Sequence, residues 1–160
     1  MRRTVAVVCT VLLSGFVLQG CGAKQEEIAD TSWQVVGVYT TPNYPATVPD
    51  AVAGAVAVNF GATTISGFTG CAPLQGTVSF TQAGKPANSV DGDALHVEKV
   101  SYRQVDEEQC TGHIRFVHDA IVQFFEHHDF AVSRPTGGEL LLTVSGSELY
   151  DDAPALRLVH

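Results

Sequence analysis

One stretch of this 160-residue chain has a helical pattern of apolar residues, and short β-like runs surround it on both sides. Ile114, Val117, Ile121 and the pair Phe124–Phe125 recur at the spacing of a single helical face. The pattern predicts a helix near 111–128. Thr111 is one candidate N-cap, and Asp106, three residues before Gln109, is the rival start.

The rest of the folded region consists of β-branched and aromatic runs separated by Gly, Pro and Asn. Prolines between 42 and 49, and Gly and Pro between 83 and 92, predict loops, while Gly137–Gly138 predicts a hairpin. The strands do not alternate with helices, so an α+β domain is favoured: a mainly antiparallel sheet or partial barrel with one packed helix. About eight strands are predicted, at 33–39, 52–60, 63–68, 74–81, 94–102, 130–133, 139–144 and 155–159.

The first 20 residues are not expected to belong to this fold. Arg2 and Arg3 precede an uncharged run from Thr4 to Leu18, which is the arrangement of a secretory signal. Those 15 residues would span about 23 Å as a helix, less than the roughly 30 Å core of a bilayer. A permanent transmembrane helix is therefore the weaker interpretation.

The segment Leu18-Gln19-Gly20-Cys21 resembles the lipobox of bacterial lipoproteins. The resemblance implies cleavage before Cys21, a diacylglycerol thioether on its sulfur and an acylated amino terminus, as with palmitate. Two or more acyl chains anchor a protein stably, whereas one is marginal. The predicted location is the extracytoplasmic face of a cell membrane. The alternative is an ordinary secretory signal with a chance cysteine.

Removal of residues 1–20 leaves 140 residues, enough for one domain. Residues 21–30 are predicted to be a lipidated tether and 31–160 a globular domain. The signal contains two of nine basic residues and none of 17 acidic ones, so seven basic and 17 acidic residues remain, a formal charge of −10. No basic run survives, which argues against nucleic-acid binding. We expect a soluble, monomeric domain tethered to the membrane through Cys21.

Three cysteines remain after cleavage, and lipidation of Cys21 leaves Cys71 and Cys110. Disulfides persist in oxidising compartments, so a Cys71–Cys110 bridge is predicted. It would close a loop of about 40 residues and contribute roughly 4 kcal/mol. The alternative is a pair of buried free thiols. A metal site is less favoured because no Cys-x-x-Cys spacing accompanies the pair.

Four histidines cluster in and after the predicted helix. His113 and His118 are five residues apart, about 140° around a helix, so they do not form an i, i+4 zinc pair. His127 and His128 fall at the helix C-terminus, where the macrodipole favours imidazolium. Metal binding is the minor alternative, and no metal or cofactor is predicted.

Other polar residues do not match a known catalytic pattern. The Asp91-Gly92-Asp93 segment lacks the full calcium-loop ligand set, so loop solvation is favoured. Ser145-Gly146-Ser147 does not match Gly-x-Ser-x-Gly, and adjacent acidic pairs do not define the carboxylate separation that glycoside hydrolysis needs. Those pairs are Glu107–Glu108 and Asp151–Asp152. No catalytic residue is assigned, and the chain is predicted not to be an enzyme.

The segment 65–76, Ile-Ser-Gly-Phe-Thr-Gly-Cys-Ala-Pro-Leu-Gln-Gly, resembles the signature of the META/HslJ-like family. Trp33, Cys110 before the helix, and Leu140-Leu141-Leu142 in a late strand fall in matching order, so the resemblance spans roughly 31–160. Ala72 stands where family members have Asn. The resemblance implies a compact, mostly antiparallel β domain with one helix, in an envelope protein linked to stress or antibiotic tolerance.

The sequence therefore predicts a membrane-anchored, non-enzymatic interaction or stress-tolerance module in the cell envelope. The apolar face of the β scaffold and the loop Pro42–Pro49 are its expected contact surfaces, because a proline-stiffened loop loses less entropy on binding. The alternative is a carrier of a lipid or small apolar ligand, with Phe116, Phe124 and Phe125 lining a pocket between sheet and helix. A hydrolase is the least favoured of the three hypotheses about function.

Overall fold

The computed structural model describes residues 27–40, 47–146 and 153–160. The predicted signal peptide, Cys21, most of the tether, residues 42–46 of the proline-rich loop, Ser147 and Asp151–Asp152 lie outside these ranges. The described elements are β1 (Ser32–Tyr39), a 3-10 turn (Asp50–Val52), β2 (Val56–Phe60), β3 (Thr64–Thr69), β4 (Pro73–Gln82), β5 (Lys85–Ala87), β6 (Ala94–Tyr102), α1 (Gly112–Phe125), β7 (Asp129–Ser133), β8 (Glu139–Val144) and β9 (Ala155–Val159).

Eight of these strands form a closed antiparallel ring. The order around it is β3-β2-β1-β9-β8-β7-β6-β4, and β4 returns to pair with β3. The short β5 extends the same edge of β4 beyond β3, at Phe80–Gln82. The prediction of an α+β, mainly antiparallel domain with one helix is confirmed, and the partial barrel is a closed one.

Two glycines at inward-facing positions allow close strand approaches, Gly67 between β3 and β2 and Gly76 between β4 and β6. An added Cβ on Gly67 would collide with the carbonyl oxygen of Ala57 in β2, and one on Gly76 would collide with that of Lys99 in β6. The Cα atoms of Val58 and Val100 would lie 3.1 and 3.0 Å from these added carbons. Glycines in strands commonly mark close backbone approaches of this kind. They allow the sheet to curl tightly enough to close.

The helix packs against the ring with the face that its sequence pattern predicts. Val117, Ile121, Phe124 and Phe125 are buried in the same core as the strand residues. Phe130 of β7 stacks on Phe124, with ring centroids 4.7 Å apart, and meets Phe125 edge-on at 6.0 Å. These contacts join helix and sheet in one hydrophobic core.

The helix is shorter than the predicted 111–128. It starts at Gly112, after Thr111 in an extended conformation whose side chain makes no capping bond. Asp106 instead organises a separate turn, because its carboxylate accepts hydrogen bonds from the Glu108 amide and the Gln109 side chain. The helix ends at Phe125, and His128 adopts a left-handed φ of 64° that stops it.

The domain begins earlier than the sequence predicted. Ile28 and Ala29 are buried, at 1% and 5% exposure. The Trp33 indole donates a hydrogen bond to the Ile28 carbonyl at 3.0 Å, and the Asp30 amide bonds to the Phe60 carbonyl. The prediction of a tether reaching Asp30 was therefore wrong at its end, because burying Ile28 and pairing residues 29–30 with β2 outweigh the freedom of a polar linker.

Two further local predictions differ from the structure. The strand predicted at 52–60 begins at Val56, because the 3-10 turn and Gly54, at φ 81°, occupy its first residues. Residues 83–92 were expected to be a loop throughout, but β5 forms there through pairing with β4. In the proline-rich loop, Val48 is buried and its amide bonds to the Val36 carbonyl, so this part of the loop packs on the barrel.

The barrel has two distinguishable ends. The N-terminal end is where residues 27–31 lead into the start of β1. The Glu27 carboxylate accepts a hydrogen bond from the Ser89 hydroxyl at this end. At the helix end, the connection between β3 and β4 packs against Ile114 of α1. Antiparallel pairing around the ring places the N-terminal residues and the helix at opposite ends.

The close approach at Gly76 gives a stability prediction. We expect Gly76→Ala to lower the free energy of unfolding by about 2 kcal/mol, because the new methyl group must displace the backbone of β6. Gly137→Ala is the matched control, since nothing lies within 4 Å of the added carbon there. Urea unfolding of both variants, purified in mild detergent, measures the difference. Equal stabilities would contradict the role assigned to Gly76.

Candidate functional site

Cys71 and Cys110, singled out by the sequence, form a disulfide with Cα atoms 5.3 Å apart. Cys71 lies in the connection between β3 and β4, and Cys110 lies two residues before the helix. Gly70 beside the bridge has a φ of 94°, and an added Cβ there would overlap the Ile114 side chain. The Gly70-Cys71-Ala72 segment therefore attaches the start of the helix to the barrel.

Directly beside the bridge, a buried polar pair joins the same two elements. The Thr69 hydroxyl lies 2.6 Å from His118 Nδ1, and both residues are buried. The same hydroxyl oxygen accepts the Ala72 amide at 3.1 Å and lies 3.0 Å from the Ala72 carbonyl. The Thr69 hydroxyl has one proton, so the pair has two possible arrangements. In the first, Thr69 donates to the Ala72 carbonyl and His118 Nδ1–H donates to the Thr69 oxygen. In the second, Thr69 donates to an unprotonated Nδ1 of His118.

Burial governs the protonation of this region. It lowers the pKa of His118, while the carboxylates of Asp119 and Glu107 oppose that effect and Arg115 adds to it. Burial also raises the pKa of Tyr102, whose ring meets His118 edge-on at 6.2 Å, and the charge of Glu126 adds to this rise. Thr69 and His118 use their polar atoms on each other and on the backbone, which gives them a structural role.

The other histidines of the predicted cluster do not join His118. His113 and His127 are exposed, while His128 Nδ1 lies 2.7 Å from the Val97 carbonyl. His96, which sequence reasoning did not single out, pairs with Asp129 at 2.6 Å. In the part of the chain that the structure describes, no three His, Cys, Asp or Glu side chains are arranged to hold a metal ion.

The acidic residues considered for catalysis or calcium organise turns and ion pairs. Asp93 accepts the Ala83 amide, and Asp91 accepts the Asn88 side chain. Glu107 pairs with Arg115 at 2.6 Å. These partners explain the residues without a bound ion.

The phenylalanines considered for a carrier pocket fall into two groups. Phe124 and Phe125 fill the core against Phe130. Phe116 is 51% exposed, so the prediction that it lines a space between sheet and helix was wrong. It lies on the helix flank that faces solvent.

Sequence reasoning missed a shallow depression on the outside of the barrel, which we call the β3–β4–β6 face. Its main part measures about 430 Å³, and a smaller part of about 200 Å³ adjoins it through the shared residues Gln75 and Ser101. Ile65, Gly76 and six residues with polar side chains at alternate strand positions line the main part, and the six are Thr64, Ser66, Gln75, Thr77, Lys99 and Ser101.

Most polar groups of this face are not used within the domain. The Ser101 hydroxyl bonds to the Gln75 carbonyl at 3.2 Å, whereas the side chains of Ser66, Gln75 and Thr77 bond to no other described residue. Lys99 and Arg103 are exposed on the same strand edge and have no carboxylate within 4.0 Å among the described residues. The period-two alternation of hydroxyl and amide residues in 64–66 and 75–77 was the available sequence signal.

Three comparisons place this geometry among known proteins. No protein-family model matches the sequence, and no curated protein matches it. Among solved structures, the chain is similar to the NMR structure of a protein from Burkholderia xenovorans, with a TM-score of 0.57 and 17% identity over 82% of each chain. At this identity the likeness shows the fold alone. No helix in the described ranges is both long and apolar enough to cross a bilayer.

The Thr69–His118 pair gives a second stability prediction. We expect Thr69→Val to lower the free energy of unfolding by about 2 kcal/mol, because His118 Nδ1 and the Ala72 amide lose a buried partner. Thr64→Val, at an exposed position of the same strand, should change it by less than about 0.5 kcal/mol. Chemical denaturation of both variants provides the test, and a Thr69→Val protein as stable as the parent would overturn the assignment.

The lowered pKa of His118 predicts a pH dependence. The unfolded chain binds a proton at this histidine more readily than the folded protein, so stability is present above the unfolded pKa and is lost as pH falls through the folded one. We expect the melting temperature to fall between pH 7.5 and pH 5. The slope should shrink in His118→Gln and persist in the exposed control His113→Gln. An unchanged slope in His118→Gln would show that other groups cause the effect.

Proposed function

We propose that this protein is a lipid-anchored, non-enzymatic interaction module at the extracytoplasmic face of a bacterial membrane. The observation that carries the proposal is the docking of residues 27–30 at one end of a closed barrel. A chain anchored through Cys21 would then have only five residues between the lipidated Cys21 and the fixed Glu27, a reach of about 20 Å. The anchor would hold the N-terminal end toward the bilayer.

This attachment supports a definite orientation for the domain. The helix end would point away from the membrane, and the β3–β4–β6 face would lie on the flank. That face reaches the helix end at Pro73 and Arg103. A ligand in the extracytoplasmic space would therefore meet the polar face without passing between the domain and the bilayer.

The contacts at the conspicuous polar residues support an interaction role over an enzymatic one. Thr69 and His118 form a buried pair, Asp93 holds a backbone amide, and Glu107 holds Arg115. The stacked rings of Phe124 and Phe130 occupy the space that a carrier would need between sheet and helix. Among the described residues, the β3–β4–β6 face carries several polar side chains without partners inside the domain, and these suit binding.

The resemblance of 65–76 to the META/HslJ-like signature supports the same proposal. In this chain the Gly70-Cys71-Ala72 element serves the attachment of the helix, and Ala72 is fully buried with its amide and carbonyl both bonded to Thr69. The element thus contributes to the scaffold. A role in envelope integrity or stress tolerance, which the resemblance implies, is part of what we propose.

Acylation of Cys21 is the direct test of the anchor. In a bacterial host fed alkyne-palmitate, we expect the parent protein to carry the label and to have lost the mass of residues 1–20. Cys21→Ser should carry no label and keep its signal. Cys9→Ser is the matched control, because that cysteine leaves with the signal peptide, and it should behave like the parent. Labelled Cys21→Ser protein, or an unlabelled parent, would contradict the proposal.

A further inference from the structure

We propose that the β3–β4–β6 face binds an extended anionic glycan, a sugar chain that carries carboxylate or phosphate groups. This inference rests on the proposed function, since it names the class of ligand for an anchored interaction module. Three independent features of the face point to the same chemistry. They are a set of hydrogen-bonding groups and two cations without partners among the described residues, and an exposed aromatic ring at one edge.

The hydrogen-bonding groups suit a ligand rich in hydroxyls. Thr64, Ser66 and Thr77 offer hydroxyls that both donate and accept, and Gln75 offers an amide that does the same with a fixed geometry. They line a shallow, open depression and project from neighbouring strands. A sugar chain presents donors and acceptors along its whole length and can lie across such a surface.

The cations give the face its charge preference. Lys99 and Arg103 are four residues apart on one extended segment, so their backbone positions are about 13 Å apart. The neighbouring carboxylate of Glu98 does not come within 4.0 Å of Lys99. By contrast, Arg115 and Arg157 are held by carboxylates, and Arg134 donates to backbone carbonyls. Two anionic groups on separate units of one polymer would match the two free cations.

The aromatic ring supplies the apolar part of sugar recognition. Phe68 of β3 is 41% exposed and pairs in register with Pro73, which lines the smaller part of the depression. An exposed ring face attracts the weakly positive C–H groups of a pyranose, as it does other partial positive charges. An acidic peptide would use the cations but would gain less from this ring and from the row of hydroxyls.

The negative charge of the rest of the domain would direct an anionic ligand to this face. The formal charge of the whole chain is −8, and two of its six described Lys and Arg residues, Arg115 and Arg157, are paired with carboxylates. A polyanion is repelled by such a surface except where unpaired cations lie together. Because the two cations are exposed, their attraction should weaken as salt is added.

The test uses the protein as a bacterial host processes it, in nanodiscs of zwitterionic lipid when it is acylated and in buffer when it is not, and measures binding of fluorescent oligogalacturonate. We expect saturable binding that weakens from 50 to 300 mM salt, and at least fivefold weaker binding of the methyl-esterified oligomer. The double variant Lys99→Gln/Arg103→Gln should bind about five- to tenfold more weakly than the parent. Lys85→Gln removes an exposed cation of β5 and should leave the affinity within twofold.

A second pair of variants guards against indirect effects of removing charge. Ser66→Glu places a carboxylate inside the depression and should abolish binding, whereas Thr143→Glu on β8, across the barrel, should not. A phosphate-bearing oligosaccharide of similar length, run in parallel, separates phosphate from carboxylate as the anionic group. Either one binding in this pattern supports the proposal.

Three results would overturn it: equal binding of the methyl ester, undiminished binding by the Lys99/Arg103 double variant, or binding of polyglutamate with neither glycan bound. Binding of polyglutamate alone would be consistent with an anchored interaction module whose ligand is an acidic peptide. Failure of Cys21 acylation, read in the separate labelling experiment, would instead remove the anchor while leaving glycan binding to be judged on its own.

Discussion

Closure of the sheet between β3 and β4 is the constraint on which the rest of the structure depends. It requires β3 to pair along one edge with β2 and along the other with β4, while side chains at two inward-facing positions, one in β3 and one in β4, would collide with the backbones of β2 and β6. Gly67 and Gly76 remove those side chains. A closed ring gives each of its eight strands a pairing partner on both sides, which limits pairing with other chains.

Closure also determines what the helix must do. The chain leaves the ring after β6, forms α1 and re-enters the ring at β7. The position of the helix therefore depends on contacts that attach its start to the barrel. Three contacts do so within four residues of β3's end: the Cys71–Cys110 bridge, the fit of Ile114 against Gly70, and the Thr69–His118 hydrogen bond. The covalent link and the buried hydrogen bond reinforce each other because both join the same two elements.

The sequence predicts what local pattern can encode. The helix follows from its apolar face, most strands from their composition, and the cysteine pairing from elimination within a chain predicted to be exported. The Thr69–His118 pair lies 49 residues apart and has no sequence signal, since a threonine in a strand and a histidine in a helix are ordinary. The docking of residues 28–30 is not predictable from the sequence for a related reason. Ile28 is a single apolar residue in a polar stretch, and hydrogen bonds to Trp33 and Phe60 hold this segment in place.

The missed β3–β4–β6 face shows where function can reside when the conspicuous residues are committed to the fold. Hydroxyl and amide side chains on alternate positions of a strand are usually taken as its solvent-facing side, and each strand here is unexceptional alone. Register brings Ser66 opposite Gln75 and Gln75 opposite Ser101, so that three ordinary strands form one surface. With Lys99 and Arg103 unpaired in an otherwise acidic domain, that surface combines charge and hydrogen-bonding capacity. A short tether at the opposite end would keep it clear of the membrane and facing the polymers of the envelope.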